Sequence, residues 1–124
     1  MKRELRDAWV ADLRNGGYDQ GKGKLRTMED RYCCLGVLCE RIPNAYWEPI
    51  ENEYSGYQSG WLIVWEGSPS EDLIPNELAW KLGLNGNLSD NEVMNQNLLA
   101  VFNDRGWSFE QIARIIEETV IITP

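Results

Sequence analysis

The chain has 124 residues, 43% hydrophobic and 26% charged, with twelve Lys and Arg against twenty Asp and Glu and no histidine. That composition excludes disordered, collagen-like, coiled-coil and disulfide-scaffold classes, and a net charge of −8 opposes general nucleic-acid binding, which needs Lys and Arg to neutralise phosphates. No uninterrupted apolar run, residues 61–65 included, exceeds five residues, far fewer than the roughly 20 of a membrane-crossing helix, and the charged residues 1–7 lead into no apolar signal segment. The expectation is a cytoplasmic protein with no membrane partner, folded as a single domain over residues 1–124.

In chain order, Leu5, Trp9 and Leu13 at i, i+4 and i+8 predict a helix over residues 2–15, ended by Gly16-Gly17. Residues 18–31 are polar and glycine-punctuated, which predicts a loop with at most a short strand at residues 24–27. Residues 32–42, stopped by Pro43, are the densest apolar stretch of the first half. They predict a buried helix with Cys33, Val37 and Leu38 on one face and Gly36 admitting a close neighbour; a strand is the alternative, which Gly36 disfavours. Residues 46–66 carry Tyr46, Trp47, Tyr54, Tyr57, Trp61 and Trp65 around Ser55-Gly56 and Ser59-Gly60, with β-branched Ile63 and Val64, and predict a β-hairpin or small antiparallel sheet.

Helical signals return after Ser70. Pro75 suits a first helical turn, Leu78, Ala79 and Leu82 form an apolar face, and Gly83-Leu84 resembles a Schellman stop. Ser89 with Glu92 forms a capping box ahead of a helix over residues 93–102, with Met94, Leu98, Val101 and Phe102 on its apolar face. Ser108 with Gln111 forms a second box, followed by Phe109, Ile112, Ala113, Ile116 and Val120. The fold class is α+β, a single small domain that is mostly helical with the hairpin in its middle.

Without histidine, no Ser-His-Asp triad, Cys-His dyad or histidine-bearing zinc site exists in one chain. Cys33, Cys34 and Cys39 are an odd number within seven residues, which predicts reduced, buried thiols. Adjacent Cys33 and Cys34 do not direct two sulfurs at one tetrahedral ion, so no metal is expected even with Glu40 as an added ligand. Acid pairs such as Glu51 with Glu53, Glu71 with Asp72 and Glu117 with Glu118 lie in polar contexts and read as solvated faces. The expectation is therefore no catalytic residue, no cofactor and a non-enzymatic binder, with an enzyme using a Cys33 or Cys34 thiol or carboxylate chemistry as the remaining alternative.

Two stretches suggest binding. Gln20, Gly21, Lys22, Gly23, Lys24 and Arg26, with Arg31 nearby, combine glycine backbone N–H groups with basic charge and make a candidate anion nest for a phosphorylated, nucleotide-type small molecule. The aromatic cluster Trp47, Tyr57, Trp61 and Trp65 is a candidate partner surface. In an alternating strand Trp61, Ile63 and Trp65 face one way and Leu62 and Val64 the other, so both faces are apolar and one is available to a partner or to a homodimer. Charge is divided along the chain: residues 1–31 hold eight basic and six acidic side chains, residues 32–124 four and fourteen. An acidic protein of this kind suits a basic partner surface. A helix-turn-helix role for the last two helices is disfavoured by Glu110, Glu117 and Glu118 against Arg114 alone on the second, since an acidic recognition helix repels the major groove.

The run Tyr32-Cys33-Cys34-Leu35-Gly36-Val37-Leu38-Cys39 resembles a (Tyr/Phe)-Cys-Cys-Leu-Gly-Val-Leu-Cys motif of small uncharacterised proteins encoded by tailed bacteriophages and prophages. Trp9, Leu13, Gly17, Tyr18, Gln20, Gly21, Gly23, Leu25 and Arg26 resemble that family's leading pattern. Pro75, Trp80, Gly83 and Leu84 resemble its middle, and Asn103, Asp104, Gly106, Phe109, Ile112, Ala113 and Ile116 its close. Residues 44–70 match least. The resemblance implies context rather than chemistry: an accessory protein that binds a host protein for host takeover or anti-defence, in the host-cell cytoplasm. The Asn103-Asp104-x-Gly106 pattern reads as a turn between two helices, a structural feature.

Overall fold

The computed structural model describes residues 1–51, 58–84 and 95–119. Within them lie five helices and a three-stranded sheet, an α+β fold. The elements are α1 (Arg3–Asn15), α2 (Cys34–Cys39), β1 (Ala45–Glu51), β2 (Gln58–Trp65), β3 (Ser68–Ser70), α3 (Asn76–Leu82), α4 (Gln96–Asp104) and α5 (Phe109–Thr119). No helix among the described residues is long and apolar enough to cross a membrane.

The six residues of α2 are buried on every side, and the rest of the core is built around them. Trp9 of α1 donates its indole N–H to the carbonyl of Cys34 at 2.8 Å, which satisfies the one polar atom of an otherwise apolar contact. Gly36 is required for a neighbour's approach: a Cβ there would stand 1.9 Å from the carbonyl oxygen of Leu25. Helix α5 closes over α1 with Phe109, Ile112, Ala113 and Ile116 buried. Arg14 bridges these two helices on the outside, to Glu110 at 2.9 Å and Glu117 at 2.8 Å.

Local signals account for the helix ends. Gly83 adopts φ +77° after α3 and Leu84 N–H reaches back to Ala79 at 2.8 Å, a Schellman closure. Ser108 and Gln111 exchange their bonds at 2.9 and 3.2 Å, the capping box ahead of α5. Pro75 precedes α3 rather than opening its first turn. The Ser89–Glu92 box, Met94 and Val120 lie outside the described residues.

Helix α4 departs from the expected pattern. Its buried side chains are Gln96, Leu99 and Asn103, whereas Leu98 and Phe102 are half-buried and Val101 is exposed. Hydrophobic spacing misassigns this face because two amides are buried with their hydrogen bonds complete. Gln96 accepts from Ile74 N–H at 2.9 Å and donates to its carbonyl at 3.1 Å. Asn103 and Asp104 are helical rather than turn residues; Gly106, at φ +97°, makes the turn.

In the sheet β2 is central, antiparallel to β1 and β3. Glu66 and Gly67, both at positive φ, form the two-residue turn into β3, as expected for a tight hairpin that matches strand twist. β3 is absent from the sequence expectation because Ser68-Pro69-Ser70 has no β-branched or aromatic residue.

Candidate functional site

Register gives the sheet two chemically different faces. Ala45 pairs with Trp65, Trp47 with Ile63 and Pro49 with Trp61 on one; Tyr46 pairs with Val64 and Glu48 with Leu62 on the other. Val64 in turn pairs with Pro69, so Tyr46, Val64 and Pro69 form one row straight across the three strands.

The inner face meets the segment 18–33, and here two groups of residues separate in sequence come together. Arg26 lays its guanidinium 4.1 Å from the centre of the Trp61 ring and 5.5 Å from those of Tyr32 and Trp47. Its Nε and one terminal nitrogen bond Asp30 Oδ1 at 3.0 and 2.9 Å. Tyr32 also packs edge-on to Trp47 and to Tyr18, and its hydroxyl is pushed up to about 12, first by burial and then by the nearby Glu40 carboxylate. Arg26, a candidate ligand residue, thus fills the space between Trp47 and Trp61, two candidate partner residues. Tyr32 and Asp30 complete the arrangement.

Four of the other nest residues, Gln20, Gly21, Gly23 and Lys24, are engaged within the fold. Gln20 donates to Asn103 at 2.9 Å and to the Trp107 carbonyl at 2.7 Å, and accepts from Phe109 N–H at 3.2 Å. Gly21 N–H donates to the Tyr32 carbonyl at 2.8 Å, and Gly23 N–H to the Asp104 carboxylate at 2.9 Å. Lys24 reaches Glu71 at 3.0 Å and the Ser59 carbonyl at 2.9 Å. Lys22 and Arg31 are exposed. Beside Gly23 and Lys24 a cavity of about 270 Å³ also presents Asp72 and Asp104, and two carboxylates oppose a phosphate there.

Cys33 borders that same cavity. All three cysteines are free and buried, and burial pushes the Cys33 thiol up to about 11 and those of Cys34 and Cys39 well above their ordinary range. At neutral pH they are thiols, which are poor nucleophiles compared with thiolates. Among the described residues no group of three His, Cys, Asp or Glu is placed to hold a metal ion.

Of the candidate partner residues, Trp65 is only 6% exposed, with the Lys81 ammonium over its ring at 5.2 Å. It belongs to the core and offers no surface on the open side of the sheet, because strand alternation turns it inward with Ile63. Trp47 and Trp61 are half-buried on that inner side. Tyr57 lies outside the described residues. The open side carries Tyr46, 59% exposed, with half-buried Leu62 and exposed Glu48 and Pro69, while Val64, between Tyr46 and Pro69 in the row, is only 5% exposed. Tyr46 and Leu62 were legible as the alternate positions of the strands, but nothing local marks Tyr46 as the more exposed aromatic.

Comparison with known proteins yields no match among curated proteins and none among solved structures. One family model, described as Domain of unknown function (DUF8296), matches residues 1–120, and the chain belongs to that family.

Proposed function

We propose that this chain is a phage-encoded accessory protein that binds a host protein in the host cytoplasm without catalysing a reaction on it, and that the open face of the sheet is its contact surface. The observation that carries the reading is the row Tyr46–Val64–Pro69 with Tyr46 exposed beside Leu62. An exposed tyrosine over a short apolar row is the composition of an interface anchor. Glu48 on the same face, with exposed Glu51 and Glu66 at the strand ends, supplies negative charge that steers a basic partner. The raised thiols and the engaged backbone amides of the Gly21–Gly23 loop favour binding through this face over thiol chemistry or phosphate capture.

The test compares capture of host-lysate proteins by the wild-type chain, by Tyr46→Asp/Leu62→Ser, and by Trp80→Ser, which alters an exposed tryptophan on α3 instead. One protein retained by wild type and Trp80→Ser but lost from the folded double variant is the expected result. Equal capture by all three removes the sheet face from consideration.

A further inference from the structure

On the opposite side of Trp65 from the sheet's open face, the first turn of α1, the turn after α2 and helix α3 enclose an apolar groove of about 420 Å³. Its floor is Leu5, Ile42, Trp65, Leu78 and Leu82, of which Ile42, Trp65 and Leu78 are buried core residues, so the groove is part of the packed structure. A volume of this size with an apolar lining and a few polar groups at its edge is the usual form of a small-molecule site.

The rim determines which molecule. Lys2, Lys81, Arg41 and Glu4 stand around the mouth. Arg41 is neutralised by Asp12, which accepts from its Nε at 2.6 Å and from a terminal nitrogen at 2.9 Å. Lys81 holds its ammonium over the Trp65 ring, and neither it nor Lys2 pairs with a carboxylate among the described residues. Two lysines against Glu4 leave a net positive mouth on a chain whose total charge is −8. Positive charge gathered at an apolar groove on an acidic protein complements a ligand with an apolar body and an anionic end. A nucleotide or sugar would leave its polar groups unpaired on the apolar floor.

We infer that the groove binds a small aliphatic carboxylate of medium chain length, its chain along Leu5, Leu78 and Leu82 and its carboxylate at Lys2 and Lys81. The site is independent of the proposed protein-binding face. Apolar burial supplies most of the affinity, and the rim selects the head group and its orientation.

Isothermal titration of the full chain with decanoate is expected to show saturable one-to-one binding, with octanoate about tenfold weaker for the loss of two buried methylenes. In Lys2→Glu/Lys81→Glu decanoate weakens by about tenfold through charge reversal at the mouth, while decanol binds both proteins alike. Lys2→Gln/Lys81→Gln provides a milder variant should the reversal perturb folding, and near-UV circular dichroism checks both. Absence of saturable heat, no dependence on chain length, or equal binding of decyltrimethylammonium would each overturn the assignment. So would heat from an apolar-acidic peptide but none from decanoate, or a dimer seen by sedimentation that Lys81→Glu dissociates, since these give the groove to a protein partner or a second copy.

Discussion

The side chain of Asn103 donates through Nδ2 to the carbonyl of Gly21 at 2.8 Å, from a fully buried position on α4. Its Oδ1 accepts from Gln20 at 2.9 Å and from the backbone N–H of Cys34 at 3.2 Å. One amide therefore joins α4, the glycine loop and the first turn of α2. Asn103→Leu leaves the Gly21 carbonyl and the Cys34 N–H without this partner, while Gln20 keeps its bond to the Trp107 carbonyl, and each buried orphan costs about 1–3 kcal/mol. A loss of about 3 kcal/mol or more in urea unfolding is expected, and a loss below about 1 kcal/mol would show that water replaces the amide.

Gly36→Ala drives a methyl into the Leu25 carbonyl, a backbone atom that cannot rotate away. Overpacking of a core of this kind costs about 1–3 kcal/mol or more. The melting temperature should fall sharply, whereas Gly17→Asn, at φ +77° with open space around it, should fall little. Comparable shifts in the two variants would contradict the close approach of α2 and the loop.

Arg26→Ala removes a guanidinium held by three rings and Asp30. Contacts of this type contribute about 0.5–2 kcal/mol, so a destabilisation of about 1–2 kcal/mol with a changed near-UV circular dichroism spectrum is expected. Arg26→Lys should recover little of either, because an ammonium has no planar face to stack. Full recovery by lysine would mean that charge alone holds the segment to the sheet.

The thiols set a pH dependence. Cys33 titrates near 9.0 when unfolded and about 11 when folded, because burial disfavours its thiolate. Between these values the unfolded chain has lost the proton that the folded chain retains, so stability is fully present below pH 9 and declines as pH rises toward 11. Denaturation midpoints measured from pH 8 to 11 should fall for the wild-type chain and fall less for Cys33→Ser. Alkylation by iodoacetamide at pH 7.5 should be slow until denaturant is added; fast modification of the native protein would refute the burial of these groups.

Much of the fold is legible locally. The Leu5–Trp9–Leu13 stripe, the Gly83-Leu84 stop, the Ser108–Gln111 box and the alternating aromatic strand each depend on neighbours a few residues away, and the corresponding elements stand where those signals place them. β3 carries no propensity of its own and exists because the Glu66-Gly67 turn folds Ser68–Ser70 back against β2. The buried face of α4 was illegible for a different reason: Gln96 and Asn103 look like surface residues until their partners on distant segments are known.

The candidate sites follow the same division. Composition and periodicity by themselves determined an acidic α+β chain with buried cysteines and an aromatic sheet, since these follow from side-chain polarity and from backbone periods of 3.6 and 2. Which aromatic faces outward, where Arg26 rests, which amides of the glycine loop are occupied and where α1 and α3 leave a groove were decided by the tertiary structure. Those outcomes depend on pairing across long separations, such as Tyr46 with Val64 and Gly23 with Asp104. Such pairing is selected by burial and hydrogen-bond satisfaction of the whole chain at once, not by any local window.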